Sequence, residues 1–135
     1  MREESNQALK KKILLVDDEK HVRSLTKGLL IDYGHDVHDA EDYTSAKKLV
    51  DQHRFDLVIT DVDLRDGTGG GLDLVPHVRQ HPVNRNVPII VMSGRLGDDI
   101  RHLVAAHGKT EFVGKRESVS RMMDAVEKAL KGSTK

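Results

Sequence analysis

Three carboxylates stand where two apolar runs stop. Asp17 and Asp18 follow Ile13-Leu14-Leu15-Val16, and Asp61 follows Phe55-Asp56-Leu57-Val58-Ile59-Thr60. Runs of this length read as parallel strands, and acids at their ends gather on the rim where open α/β sheets place their chemistry. Crowded carboxylates repel one another unless a cation joins them. Mg2+ suits such a set, because it prefers one or two carboxylates completed by waters and a phosphate oxygen. The pattern is that of a chain built to handle phosphate.

The elements needed to hold these acids follow from hydrophobic period. Short apolar runs at Ile13–Val16, around Asp36–Asp39, at Asp56–Thr60, Val87–Met92 and Glu111–Val113 alternate with stretches of helical period. The first helix is expected to bury Val22, Leu25, Leu29 and Leu30 and to end at Gly34. The second carries Ala46, Leu49 and Val50, and the third Leu72, Val75 and Val78, with Pro76 placed near its first turn. The fourth carries Ile100, Leu103 and Val104 and closes at Gly108, a C′ position. The last carries Val119, Met122, Met123, Val126 and Leu130 ahead of Gly132. The order is (βα)5, an α/β three-layer sandwich with right-handed crossovers and helices on both faces of a parallel sheet.

Composition narrows the partners. The chain has 135 residues, enough for one domain with a real core and too few to add a separate output domain. Lys plus Arg and Asp plus Glu each number 22, which gives no electrostatic case for direct nucleic-acid or anionic-membrane binding. Cysteine is absent, excluding thiolate metal sites and cysteine nucleophiles. No signal-peptide pattern and no apolar stretch of spanning length is present, so a cytoplasmic protein is expected. The expected organisation is a flexible tail over 1–10, the domain over 11–131 and a C-terminal tail over 132–135.

Asp17-Asp18 after the first strand, Asp61 after the third, Ser93-Gly94 after the fourth and Lys115 after the fifth resemble the response-regulator receiver domain of two-component signalling. The resemblance covers roughly residues 11–131. It implies a flavodoxin-like sheet of order 2-1-3-4-5. It further implies that Asp61 is the phospho-acceptor and that Mg2+ is held by Asp18 and Asp61, by Asp17 mainly through water, and by the backbone carbonyl of Asp63. Lys115 would be a second cation toward the phosphoryl oxygens, and Ser93 a switch hydroxyl. Phe112 resembles the aromatic switch position, where Tyr is common; a phenyl ring fills the same space without a hydroxyl. The phosphoryl donor would be a sensor histidine kinase or histidine phosphotransfer protein, docking at the first helix. A downstream protein would bind the face of helix four, strand five and helix five, and a dimer formed on phosphorylation fits the same picture.

This chain departs from that family at two places. Arg116 follows Lys115 where a cis proline is usual; a non-proline cis bond costs about 2.5 to 4 kcal/mol, so a trans bond is expected. Arg65 replaces a usual proline, and Gly69-Gly70-Gly71 read as a two-residue insertion that loosens the loop after Asp61. Asp63 and Arg95, each two residues past a site residue, are expected to pair across the mouth and set the lifetime of an acyl phosphate.

Other chemistry stays open on residues alone. Asp61-Val62-Asp63 echoes the DxD motif of haloacid-dehalogenase-type phosphatases, although there the nucleophile strand comes first. A receiver-like module that binds partners without phosphorylation is the other alternative. His77 and His81 have the i, i+4 spacing of a zinc pair without an evident third ligand, and a solvated helix face is the plainer reading. Lys10-Lys11-Lys12 reads as solvated charge flanking the first strand.

Overall fold

Alternation along each strand assigns its side chains to two separate cores. In β1 (Lys12–Val16), Ile13 and Leu15 pack with Leu30, Met122 and Val126, whereas Leu14 and Val16 pack with Ala46, Val50, Leu74 and Val75. The same parity runs through β3 (Leu57–Asp61), with Leu57 and Ile59 on the first side and Val58 on the second. All five residues of β3 are buried, as a central parallel strand requires.

The computed structural model describes residues 10–62, 71–94, 98–115 and 119–133. The remaining elements are α1 (Lys20–Asp32), β2 (Asp36–Ala40), α2 (Tyr43–Gln52), α3 (Gly71–Gln80), β4 (Ile89–Ser93), α4 (Asp98–Ala106), β5 (Thr110–Gly114) and α5 (Val119–Ser133). Every strand pair is parallel, and the five-stranded sheet has the order β2-β1-β3-β4-β5. The expected (βα)5 architecture and strand order are therefore observed. Helices α1 and α5 cover one face, and α2 and α3, with Val104 of α4, cover the other. Among the described residues, no helix is long and apolar enough to cross a membrane. The expected tail over 1–10 lies outside the described residues except for Lys10.

Four local expectations need correction. Leu25 is 72% exposed, and Thr26 takes the buried place on α1 beside Leu30. The spacings 22-25-29 and 22-26-30 both satisfy helical period, and the threonine methyl is small enough to sit under the helix. Val119 is 56% exposed because it begins α5 one turn before the buried pair Met122 and Met123. Pro76 is the sixth residue of α3, past the first turn, where it removes the hydrogen bond to the Leu72 carbonyl. The helix survives because Leu74, Val75 and Val78 are fully buried around that point; each such side chain contributes roughly 1.5 to 3 kcal/mol.

The fourth correction concerns the end of α4. Gly108 does not take the left-handed conformation; Lys109 does, at φ 59°. The reason lies in Arg79, whose Nη2 donates to the carbonyls of both Gly108 (2.7 Å) and Lys109 (3.1 Å). Turning both oxygens toward one guanidinium leaves the change of chain direction to Lys109, at a cost of about 1 kcal/mol for a residue with a Cβ. Gly34, by contrast, does close α1 in the left-handed region, at φ 94°.

Candidate functional site

The C-terminal ends of β1, β3 and β5 deliver their residues to one rim. Ladder hydrogen bonds run past the strands to reach it. Asp17 N–H donates to the Ala40 carbonyl (3.1 Å), Val62 N–H to Met92 (2.9 Å) and Lys115 N–H to Ser93 (2.8 Å). By parity, Asp17, Asp61 and Lys115 continue the row of Ile13, Ile59 and Val113, so all three lean to the side covered by α1 and α5. Asp17 and Asp61 are buried, at 4% and 3% exposure.

Lys115 joins them. Its Nζ donates to Asp61 Oδ2 at 2.8 Å and to Glu19 Oε1 at 2.8 Å, and stands 3.7 Å from Asp17 Oδ1. One carboxylate oxygen from each of Asp17, Asp18, Glu19 and Asp61 falls within 4.8 Å of the others. Burial alone would pull the Lys115 ammonium down, but the hydrogen bonds to Asp61 and Glu19 and the charge of Asp17 overcome it and hold its pKa above the ordinary value. Burial pushes the Asp17 carboxyl up, and the charges of Asp61 and Glu19 add to this against the opposing Glu19 N–H and Lys115. Among the described residues, four carboxyl groups against one ammonium leave the cluster short of positive charge.

The surrounding bonds fix the backbone of this corner. Asp17 Oδ1 accepts the Glu19 N–H at 2.9 Å, folding the three acidic residues into a tight turn ahead of α1. Arg23, one turn into α1, donates from Nη1 to the Asp17 carbonyl (2.8 Å) and from Nε to Asp39 Oδ2 (3.0 Å). Lys27 also reaches Asp39, at 2.8 Å. Burial would raise the Asp39 carboxyl, but Lys27 and Arg23 outweigh it and lower its pKa.

Ser93 ends β4 at 1% exposure and pairs in register with Gly114. Phe112 pairs with Val91, is half-buried, and packs on the core that contains Val91 and Leu74. Ser93 and Phe112 therefore share the opposite sheet face from Asp61 and Lys115, on adjoining strands two positions apart. Asp63, Arg65, Gly69, Gly70, Arg95 and Arg116 lie outside the described residues, and with them the Asp63–Arg95 pair and the Lys115–Arg116 peptide. Ile100 and Leu103 have no described side-chain surroundings.

Two participants escaped the sequence reading. Glu19 adjoins Asp17-Asp18, and that adjacency was the available signal; Arg23 carried none beyond being one turn further on. His77 and His81 do acquire a carboxylate neighbour, Asp51, at 3.3 and 3.6 Å. His81 Nδ1 accepts the Val83 and Asn84 N–H groups, which places its proton on Nε2 toward Asp51 and makes the trio a contact between α2 and α3.

A family model for the response regulator receiver domain matches residues 13–127. The chain belongs to that family. The receiver domain is 34% identical over 122 residues to response regulator protein PilR of Pseudomonas aeruginosa, covering 90% of this chain and 26% of PilR. It is 32% identical over 121 residues to the nitrogen assimilation regulatory protein NtrX of Azorhizobium caulinodans, covering 87% of this chain and 26% of NtrX. The chain spans about a quarter of the length of these relatives. Its fold matches chemotaxis protein CheY4 of Vibrio cholerae with a TM-score of 0.81 at 25% identity, over 90% of this chain and 99% of that one. As a receiver domain of two-component regulation, the chain belongs to a signalling family rather than to the phosphatases that its DxD sequence echoes.

Proposed function

We propose that this receiver domain accepts a phosphoryl group on Asp61 from a phosphohistidine of a sensor kinase or phosphotransfer protein, and thereby changes its affinity for a downstream protein. One observation carries the reading. Asp61 is a buried strand-end carboxylate held by an ammonium at 2.8 Å inside a cluster of three further carboxylates.

The donor set supports Mg2+ as the cofactor. Its ligand atoms are all hard carboxylate oxygens, and the excess negative charge calls for a divalent ion. Asp17, Asp18 and Asp61 would hold it, with the Asp63 carbonyl as a further oxygen. When bound, it supplies positive charge to the phosphoryl oxygens and to the acceptor carboxylate.

The chain's own residues do the rest. An Asp61 oxygen forms the O–P bond as the N–P bond of the donor imidazole breaks, and the released electron pair returns to the ring nitrogen, which takes up a proton. Lys115 passes from the Asp61 carboxylate to a phosphoryl oxygen. Asp17 and Asp18 are not consumed. The new group adds close to two negative charges at the rim. Ser93 donates its hydroxyl hydrogen to the phosphoryl group, and Phe112, on the same sheet face, repacks beside α4 to alter the surface formed by α4, β5 and α5. The exposed Leu25 on α1 suits docking of the phosphodonor protein.

Incubation with Mg2+ and a small acyl-phosphate donor tests the acceptor. The expected result is an intact-mass gain of one phosphoryl group that Asp61→Asn and chelation each abolish. A gain that persists in Asp61→Asn overturns the assignment, and no gain at all favours a module that works without phosphorylation.

A further inference from the structure

Glu19 occupies the N-cap of α1 but makes no side-chain cap hydrogen bond there. Glutamate is not among the residues that cap helices well, and Ser, Thr, Asp or Asn at this place would stabilise α1 more. Its carboxylate goes elsewhere. It accepts from Lys115 Nζ at 2.8 Å, across 96 positions of sequence.

The backbone of Glu19 is fixed from both sides. Its N–H is bound by Asp17 Oδ1 at 2.9 Å, and its carbonyl accepts the Arg23 N–H at 2.8 Å. Lys115 is fixed at its backbone by the bond to the Ser93 carbonyl. Beyond that point it is a four-carbon flexible stem whose ammonium must be aimed. Among the described residues, two strong contacts aim it, Asp61 and Glu19. Only one of these survives the reaction unchanged, because Asp61 becomes an ester-like acyl phosphate while Glu19 is not modified.

We propose that Glu19 is the positioning residue for Lys115, a fixed anchor that holds the ammonium over the Asp61 carboxylate before transfer and over the phosphoryl oxygens after it. This rests on the phospho-acceptor reading and adds a role to a residue outside the set that reading uses. The anchor acts through Lys115, so its effect exists only while the lysine is present. The Glu19 side chain is 57% exposed, which screens the pair and keeps its effect moderate.

A double-mutant cycle on the rate of phosphorylation by a small acyl-phosphate donor in Mg2+ is the test. Glu19→Gln is expected to slow the reaction by about three- to five-fold, with no change in the Mg2+ concentration for half-maximal rate. In a Lys115→Ala background the same substitution should change nothing. Glu19→Asp, one methylene short, should behave as Glu19→Gln. An equal loss with and without Lys115, or a shifted Mg2+ requirement, makes Glu19 a metal ligand and overturns the proposal; an unchanged rate in Glu19→Gln also overturns it.

A second readout needs no phosphorylation. The Lys115 Nζ resonance should be protected from solvent exchange in the starting protein and lose that protection in Glu19→Gln. If the starting protein takes no phosphoryl group, the acceptor reading fails, and this resonance still decides the anchor. Persistence of protection in Glu19→Gln sinks the anchor while leaving the acceptor untouched.

Discussion

The side-chain oxygen of Asn84 accepts the backbone N–H of Phe55 at 2.9 Å, tying the loop before β4 to the loop before β3. The Asn84 amide nitrogen donates to the Val50 and His53 carbonyls, each at 2.9 Å. At 1% exposure, Asn84 serves three backbone groups that water cannot reach easily. Asn84→Ala should lower the unfolding free energy by about 3 kcal/mol, seen as a lower urea midpoint at unchanged slope. Asn84→Asp should be worse still, because an anionic oxygen would face the two carbonyls.

Arg79 is a comparable tie at the same end of the sheet. Beyond Gly108 and Lys109, its guanidinium donates to the Val87 carbonyl (2.6 Å), the Arg85 carbonyl (3.1 Å) and Thr110 Oγ1 (3.1 Å). A lysine has one nitrogen and cannot span two turns. Arg79→Lys should cost about 2 kcal/mol in urea unfolding and should speed amide exchange at Lys109 and Thr110.

Asp17 is ionised at some cost to the fold. Its folded pKa lies above the unfolded value, with burial the largest cause, so its contribution to stability is fully present below the unfolded value and is lost as pH rises through the folded one. Asp17→Asn should therefore raise the urea midpoint at pH 7, with an advantage that shrinks as pH is lowered toward about 4. The same variant should lose the Mg2+-dependent gain in stability, which for the parent reaches about 2.7 kcal/mol at one hundred times the dissociation constant.

Two histidines give the opposite slope. His35 Nδ1 accepts the Lys11 N–H at 3.3 Å, and His53 Nδ1 lies 2.9 Å from Lys12 Nζ. Burial first, and then the neighbouring lysine in each case, lowers both pKa values in the fold. A depressed folded value means that stability is present above the unfolded pKa of about 6.5 and is lost as pH falls below it. Urea midpoints should drop between pH 7.5 and 5.5, and His35→Gln with His53→Gln should flatten that drop. An unchanged slope in the double variant would refute the assignment.

Architecture was legible in the residues because parallel strands covered on both faces, such as Leu57–Asp61 and Ile89–Ser93, are nearly continuous apolar runs. The rim carboxylates were legible for the same reason, since an acid that stops such a run has one place to go. Period could not choose between Leu25 and Thr26, as either spacing makes a stripe. Nor could it foresee Lys109 at positive φ, which follows from a guanidinium 30 positions earlier in the chain. Glu19 was hidden by its surroundings: beside two acids at a helix start, it looks like ordinary surface charge until Lys115 arrives from the far end of the sequence.

The sheet is a partition one residue thick. Asp61 and Lys115 continue the side chains facing α1 and α5, while Ser93 and Phe112 continue those facing α2 to α4. At the rim the two sides are joined by covalent chain and by the 2.8 Å bond from the Lys115 N–H to the Ser93 carbonyl. Away from that rim, each compartment can drift under its own selection. A lineage could retune how long the charge persists from one side, or exchange the listener on the other, without rebuilding both.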